Sequence, residues 1–417
     1  TVNGAAVNIT IPNATAKSGP TPVEGDWYVS QDGDDSNNGK SADTPYATIA
    51  KAVSSAANGD VICVLAGNYT VTSVIDVSKA ITIKGEGWDK TVVNGGSNRM
   101  FALKNAAAKL EGMKLTGATA NTRGAAVHMT DGTISWCYIS GNIRSGTDYK
   151  GGAVSILKGT IDHSVFADNT STMSGAAIGG SNPNGDILID TCLVYGNGMT
   201  SGSSGSGGID FDNLNNVTCT IRNCTVVDNT SFGDFPAGIR VTGTGKAILI
   251  NNIISGNIRD NSGKSELNLA VTKSLLDTTA SRNCIITGTK DTDATYYRDA
   301  GAVSVISGSS AVVPTFVNAA SGDYHLAEGS SAIAAGVTYT GIGVDLGGAA
   351  FAATPSVGCY EYSGDVPPAP TTYEVSWTGG ANANIDVKAN GSAISSGALV
   401  GDGTNVVFTV TPNTNYE

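Results

Sequence analysis

The stretch that decides the fold is IRNCTVVDNTSFGDFPAGIRV, residues 221–241. An apolar residue is followed by Cys224, by Asn229 five places on, by a polar loop, and by a second short apolar strand. The pattern recurs as ISWCYISGN ending at Asn142, IDHSVFADN at Asn169, IDTCLVYGN at Asn197 and LINNIISGN at Asn257. Successive asparagines in the series 142, 169, 197, 229 and 257 lie 27, 28, 32 and 28 residues apart. A degenerate copy, SRNCIITG, occupies 281–288. The second strands are GAAVHM at 124–129, GGAVSI at 151–156, GAAIGG at 175–180, GGIDF at 207–211 and AGIRV at 237–241.

A period of this length means stacked supersecondary units. The leucine-rich frame and the amphipathic helices of helical repeats are both missing. Short β-branched strands between Gly and Asn turns fit one coil of a right-handed parallel β-helix, an all-β solenoid. Alternate strand residues point inward, so equal registers stack into ladders along the axis. One ladder reads Cys137, Ser164, Cys192, Cys224, Asn252 and Cys284, a column of small groups expected to be buried thiols rather than disulfides. The other is the asparagine column, expected to take left-handed turn geometry and to bond between coils. The sequons at Asn169 and Asn229 fall in this ladder, so they read as turn residues rather than glycosylation sites.

Composition agrees with this reading. The 417 residues include 54 glycines and carry only 14% charged residues, favouring turns and short strands over long helices. A net charge of −12 makes nucleic acid a poor partner. No apolar run approaches the roughly 20 residues that cross a bilayer. The seven cysteines include no C-x-x-C pair, so a zinc site and a thioredoxin-like motif are both unsupported.

Two further blocks carry a family resemblance. WYVSQDGDDSNNGKSADTPYATIAKAV…GDVICVLAGNYT, within residues 27–70, resembles the opening of secreted bacterial right-handed parallel β-helix proteins. These include proteins similar to the family-nine pectate lyases of the pectate-lyase-like superfamily. The resemblance implies a short capping helix over Tyr46–Ala57 and a first coil in GDVICVLAGNYT. PTFVNAASGDYHLAEGSSAIAAG…VDLGG…VGCYEY, residues 314–362, resembles the choice-of-anchor Q segment that ends such β-helices. Ser331 and Ala334 stand where that segment carries Pro and Asp. Together the blocks imply a secreted or cell-surface protein.

The domain reading follows. Residues 1–25 hold one strand and a linker, 26–362 the β-helix, 363–372 a Pro-rich linker, and 373–417 a partial all-β surface-repeat module.

Candidate chemistry lies where the repeat varies. The second strands align His128, Ser155, Gly179, Asp210 and Arg240 as an outward column. Beside it, Ala126, Ala153, Ala177, Gly208 and Gly238 form an expected shelf of tiny residues for a chain-like ligand. At about 4.8 Å per coil, Asp210 and Arg240 are neighbours, and His128 lies about 14 Å from Asp210. The loops add Tyr149 and Lys150 in one coil and Asp234 and Phe235 in another. Polysaccharide recognition is the expected function, with the chain read as a monomer. Lyase-type cleavage of an acidic glycan would need a base and a neutralising cation. Lys150 fits the base, and Arg240 or a calcium ion held by Asp210 fits the cation. A hydrolase would need two carboxylates, and Asp210 and Asp212 are about 6.6 Å apart along one strand. Those residues serve equally as an ion pair beneath packed aromatics, which leaves a non-catalytic adhesin or glycan-binding surface protein as the competing reading. Asp32 and Asp34 have calcium-loop spacing, but Asn37 stands where such a loop needs Gly, and Asx turns account for the same residues.

Overall fold

The computed structural model describes residues 24–146, 151–200, 205–233, 235–259, 266–288, 295–364, 372–375, 383–389, 392–401 and 406–412. Within it, Pro22–Gly364 forms one compact unit, and the described strands beyond Asp365 belong to a second.

In the opening stretch the chain runs through strands Thr225–Val227, Thr230–Ser231 and Ile239–Gly243, preceded by Thr218–Arg222. Each joins the equivalent strands of neighbouring coils, which builds sheets of sixteen, nine and six strands. All pairings between coils are parallel until Leu269–Thr272 meets Tyr296–Arg298 antiparallel. The result is a parallel β-solenoid of about seven turns. Its interior follows from alternation: Val127, Val154, Ile178, Ile209, Ile239 and Leu269 stack inside, and so do Met129, Ile156, Phe211, Val241 and Val271.

The asparagine ladder is present and fully buried. Asn142 Nδ2 donates to Asn169 Oδ1 at 3.0 Å, Asn169 to Asn197 at 2.8 Å, Asn197 to Asn229 at 3.0 Å, and Asn229 to Asn257 at 2.9 Å. Each receiving oxygen also takes the backbone N–H of the preceding asparagine. Burial at 0% exposure leaves no room for glycans on Asn169 or Asn229. The expected left-handed geometry falls one residue earlier, on Gly141, Asp168, Gly196, Asp228 and Gly256, with φ between 53° and 67°. This reversal turns the corner, and the asparagine after it faces inward to bond along the axis. The cysteine ladder obeys the same rule: Trp136, His163, Thr191, Asn223, Asn251 and Asn283 precede its members with φ between 42° and 53°. All seven cysteines are free and buried, and burial pushes the Cys137 and Cys284 thiols up to about 12.

The capping helix spans Ile49–Ser55, three residues later than expected. Tyr46 is instead held beside Val29, and Asp35 accepts the Ala47 and Thr48 amides at 2.9 Å, which delays the first helical turn. Thr48 then caps it by accepting the Lys51 N–H. Strands Val61–Val64 and Gly67–Thr70 form the first coil as expected.

Residues 314–362 form a strap over the nine-stranded sheet. Tyr324, Leu326, Ala332, Leu346, Val357 and Cys359 share a second core with Val165, Leu193, Val227, Ile253 and Ile285. The left-handed corner residues project outward and fasten it. Asn283 Nδ2 donates to Ala335 O at 2.8 Å, Asn251 Nδ2 to Val337 O at 2.9 Å, and Asn223 to the Tyr339 hydroxyl. His163 closes the series, with Nε2 3.0 Å from Val344 O and Nδ1 2.9 Å from Asp162 Oδ1. The strap therefore runs back from the last coils toward the first.

Both partners of His163 are acceptors, so both ring nitrogens bond only when the ring is protonated. Burial opposes that charge, but the Asp162 hydrogen bond, the Val344 carbonyl and the charges of Asp162 and Asp190 outweigh it and raise the pKa. Trp136 stacks on the ring at 4.5 Å. A histidine with a raised folded pKa adds stability that is complete below about 6.5 and lost as pH rises through the folded value. Amide-exchange protection around Val344, corrected for intrinsic rates, is expected to fall as pH rises from about 6 to about 9. His163→Leu should abolish that dependence; an unchanged profile would refute the clasp.

In the second unit, Thr372–Val375 pairs antiparallel with Ala398–Gly401, and Ala383–Ala389 with Val406–Pro412. Thr372, assigned to the linker by composition, opens the first of these strands. Of the strand and linker expected within residues 1–25, only Glu24 and Gly25 are described.

Candidate functional site: the first-sheet seam

The column His128, Ser155, Gly179, Asp210, Arg240 is in direct register across five coils, and Ala270 and Arg298 extend it. Three coils separate His128 from Asp210, as expected. The open shelf beside it is not found. Ala126, Ala153 and Ala177 are fully buried, as are Ser155 and Asp210. The shelf glycines Gly208 and Gly238 are packed against backbone, where a Cβ would lie 2.4 Å from Gly238 O and 2.5 Å from Asn268 O, and Gly151 lets the chain pass close over its own strand. A Cβ on Gly151 would lie 2.7 Å from the Ser155 Cα and 2.8 Å from the Gly179 carbonyl, and Gly151 sits at φ 97°. The middle of the seam, at Ser155, Gly179 and Asp210, is therefore roofed, while His128 and Arg240 keep partial exposure.

Asp210 and Arg240 do meet. Asp210 Oδ1 faces Arg240 Nη1 at 3.3 Å, and Asp210 Oδ2 accepts the Ser206 N–H at 3.0 Å. Asp212 is 3.7 Å from the same guanidinium and accepts the Thr242 hydroxyl at 2.6 Å. Phe235 lies beneath the guanidinium with its ring centre 5.3 Å away. Burial works against the Arg240 charge, but Asp210 and then Asp212 outweigh it and hold its pKa above the ordinary arginine value. Two carboxylates thus share one guanidinium.

His128 is half-buried. Burial, then the charges of Arg99 and Arg123, lower its pKa to about 4, so it is neutral at ordinary pH. Its Nδ1 makes no hydrogen bond. Tyr149, Lys150 and Asp234 lie outside the described residues.

The metal expectations meet a different local chemistry. Asp34 accepts the Ser36 N–H at 2.8 Å in an Asx turn, and that bond lowers its pKa. Asn38 accepts from Lys40 N and the Thr44 hydroxyl. The loop around Asp32 and Asp34 is thus tied to itself. Asp210 is engaged by Arg240 and Ser206. Among the described residues, no three His, Cys, Asp or Glu side chains are grouped to hold a metal ion.

Where the roof ends, a shallow groove of about 430 Å³ opens, lined by Ser181, Asn182, Asp212, Asn213, Thr242 and Gly243. Asn182, just after strand Ile178–Ser181, and Asn213, within strand Ile209–Leu214, take left-handed conformations at φ 52° and 59°. Their side chains bond each other, and Thr242 Oγ1 accepts the Asn213 N–H at 3.2 Å. The repeat reading stops at Val241 and passed over these residues. The signal available was an Asn two residues beyond the last residue of two of the repeat's second strands, GAAIGG and GGIDF.

These features define a parallel β-solenoid whose polar groove sits at the strand ends of its longest sheet. No family model and no curated protein matches the sequence. Among solved structures the chain is similar to pectate lyase Pel9A, with 15% identity, 80% of this chain and 96% of that chain covered, and a TM-score of 0.37. A rhamnogalacturonan lyase is similar at 14% identity, 64% and 89% coverage and TM-score 0.34. Pectin methylesterase from carrot is similar at 11% identity, 62% and 89% coverage and TM-score 0.30. Among the described residues, no helix is long and apolar enough to cross a membrane.

Proposed function

We propose that this protein recognises polysaccharide in a secreted or cell-surface setting, holding the chain in the groove of Asp212, Asn182, Asn213 and Thr242. The observation that carries this reading is the lining itself. Carboxylate, amide and hydroxyl groups converge on one open groove beside a guanidinium stacked on Phe235, and such groups exchange hydrogen bonds with sugar hydroxyls. Because Asp210 and Asp212 already balance Arg240, the reading favours neutral sugar units at this groove.

Lyase-type β-elimination is the second reading, with Lys150 as base.

The test is a glycan array with the full chain, followed by titration of the best binder. Asp212→Ala is expected to weaken binding about tenfold, the worth of one lost charge-assisted hydrogen bond. Equal affinity in the variant would sink the assignment. Incubation of the same glycans, with and without added calcium, checks the second reading: release of unsaturated uronides, lost in Lys150→Ala, is its expected result. Binding without any such release would remove it.

A further inference from the structure

The asparagine ladder continues past Asn257. Asn257 donates its backbone N–H and its Nδ2 to Asn268 Oδ1, at 2.9 and 2.8 Å, so Asn268 becomes the next rung. Asn268 then meets two carboxyl groups. Its Nδ2 donates to Glu266 Oε1 at 2.8 Å, and its backbone N–H donates to Asp299 Oδ1 at 2.9 Å. Asp299 Oδ1 also accepts the Leu269 N–H at 2.9 Å. Asp299 follows strand Tyr296–Arg298 and precedes the short helix Ala300–Val303, where the chain sets out toward the strap. Its side chain therefore pins that segment to the last coil.

The pin is buried and strained. Asp299 is 0% exposed, and its backbone sits at φ 36° and ψ −116°, a conformation that persists only where the surroundings enforce it. Among the described residues its Oδ2 has no hydrogen-bond partner. A Cβ on Gly288 would fall 2.3 Å from Oδ2, so that oxygen is seated against a residue that has to be glycine. Glu266 Oε1 is held differently, accepting the Gly256 N–H at 2.8 Å and the Thr287 hydroxyl besides Asn268 Nδ2.

An ionised oxygen that lacks a donor is far more costly to bury than a neutral one. The donors therefore favour a charge on Glu266 and a proton on Asp299. Burial opposes the Glu266 charge, but the Thr287, Asn268 and Gly256 hydrogen bonds outweigh it and lower its pKa. Burial pushes the Asp299 carboxyl up to about 7; the Leu269 and Asn268 amides and the Arg259 charge act downward, and the Glu266 charge upward. Leu269–Thr272, Ile285–Ile286 and Ala300–Val303 bring no titratable side chain to it. Arg298, the residue before it, belongs to the outward column in register with Ala270.

We propose that Asp299 is a proton-operated pin: as the neutral acid it holds the segment from Tyr296 to Val303 on the last coil, and on losing its proton it lets that segment loosen. Between the two titrations the folded chain keeps a proton that the unfolded chain has released. The contribution is complete below about pH 4 and is lost as pH rises through about 7. The last coil is thus fastened in acid, in the same sense as the His163 clasp.

The test follows the Asn268 and Leu269 amides by hydrogen exchange, corrected for intrinsic rates, in full-chain His163→Leu protein, which lacks the clasp's own pH dependence. Local opening should become at least about tenfold more favourable between about pH 5 and about pH 8. Asp299→Asn should remove that dependence, and Glu266→Gln, which takes away a neighbouring negative charge, should move the midpoint to lower pH. Carbon NMR of the carboxyl groups reads the unsubstituted side chain directly, with one aspartate expected to titrate at about 7, well above the ordinary value of about 4. Absence of any such aspartate, exchange at Leu269 that does not change with pH, or the same pH dependence in Asp299→Asn would each overturn the pin.

Discussion

Asn197→Ala is expected to destabilise the solenoid by about 4 kcal/mol, read as a shift in the denaturant midpoint at unchanged slope. Asn197 Oδ1 accepts both the backbone N–H and the side-chain amide of Asn169, at 3.0 and 2.8 Å. Its own amide donates to Phe166 O, Tyr195 O and Asn229 Oδ1. All of this occurs at 0% exposure, so water cannot replace what is lost. Each orphaned buried group costs about 1–3 kcal/mol, and Ala leaves at least the Asn169 backbone N–H and one hydrogen of the Asn169 side-chain amide without partners. The damage also propagates, because amide chains polarise one another along the axis. A midpoint shift no larger than that of an exposed substitution such as Thr230→Ala would show that the ladder is incidental.

Arg240→Ala should cost about 3–5 kcal/mol, because it strips a guanidinium from a carboxylate that is itself fully buried. The sign of a second substitution tests the cause. Asp210→Asn removes the stranded charge and is expected to recover part of the loss in the Arg240→Ala background. The same change alone should destabilise. If the double variant is simply the sum of the two singles, the pair is not coupled and the electrostatic account of the seam fails. Glycan affinity measured on these variants separates the pair's structural role from any contact with ligand.

The repeat made the solenoid legible because its signal is local and redundant. Cys224, Asn229 and the apolar residues between them follow a strand rule that neighbouring coils repeat. The inward direction of both ladders follows from that rule alone. The position of the left-handed residue was misplaced by one, since Asn is a common left-handed residue and Gly141, Gly196 and Gly256 beside it were read only as spacing. The site was less legible. Asp210, Asp212, Arg240 and Phe235 were expected together and do meet, because strand register is countable in sequence. Exposure is not countable. Ser155 and the alanines beside the column are buried where Gly151 closes on Ser155 and Gly179, and Gly175 on Ile178 and Gly179.

The sequence by itself therefore determined the coil, the two interior ladders and the pairing of Asp210 with Arg240, all consequences of period and alternation. Only the tertiary structure decided that the seam is roofed and that His163, Asn223, Asn251 and Asn283 fasten a strap. It alone set the Asp299 carboxyl on the Asn268 and Leu269 amides. The roof follows from loops that close over their own strands, and the strap from contacts such as His163 with Val344, 181 residues apart; neither is encoded in the repeat.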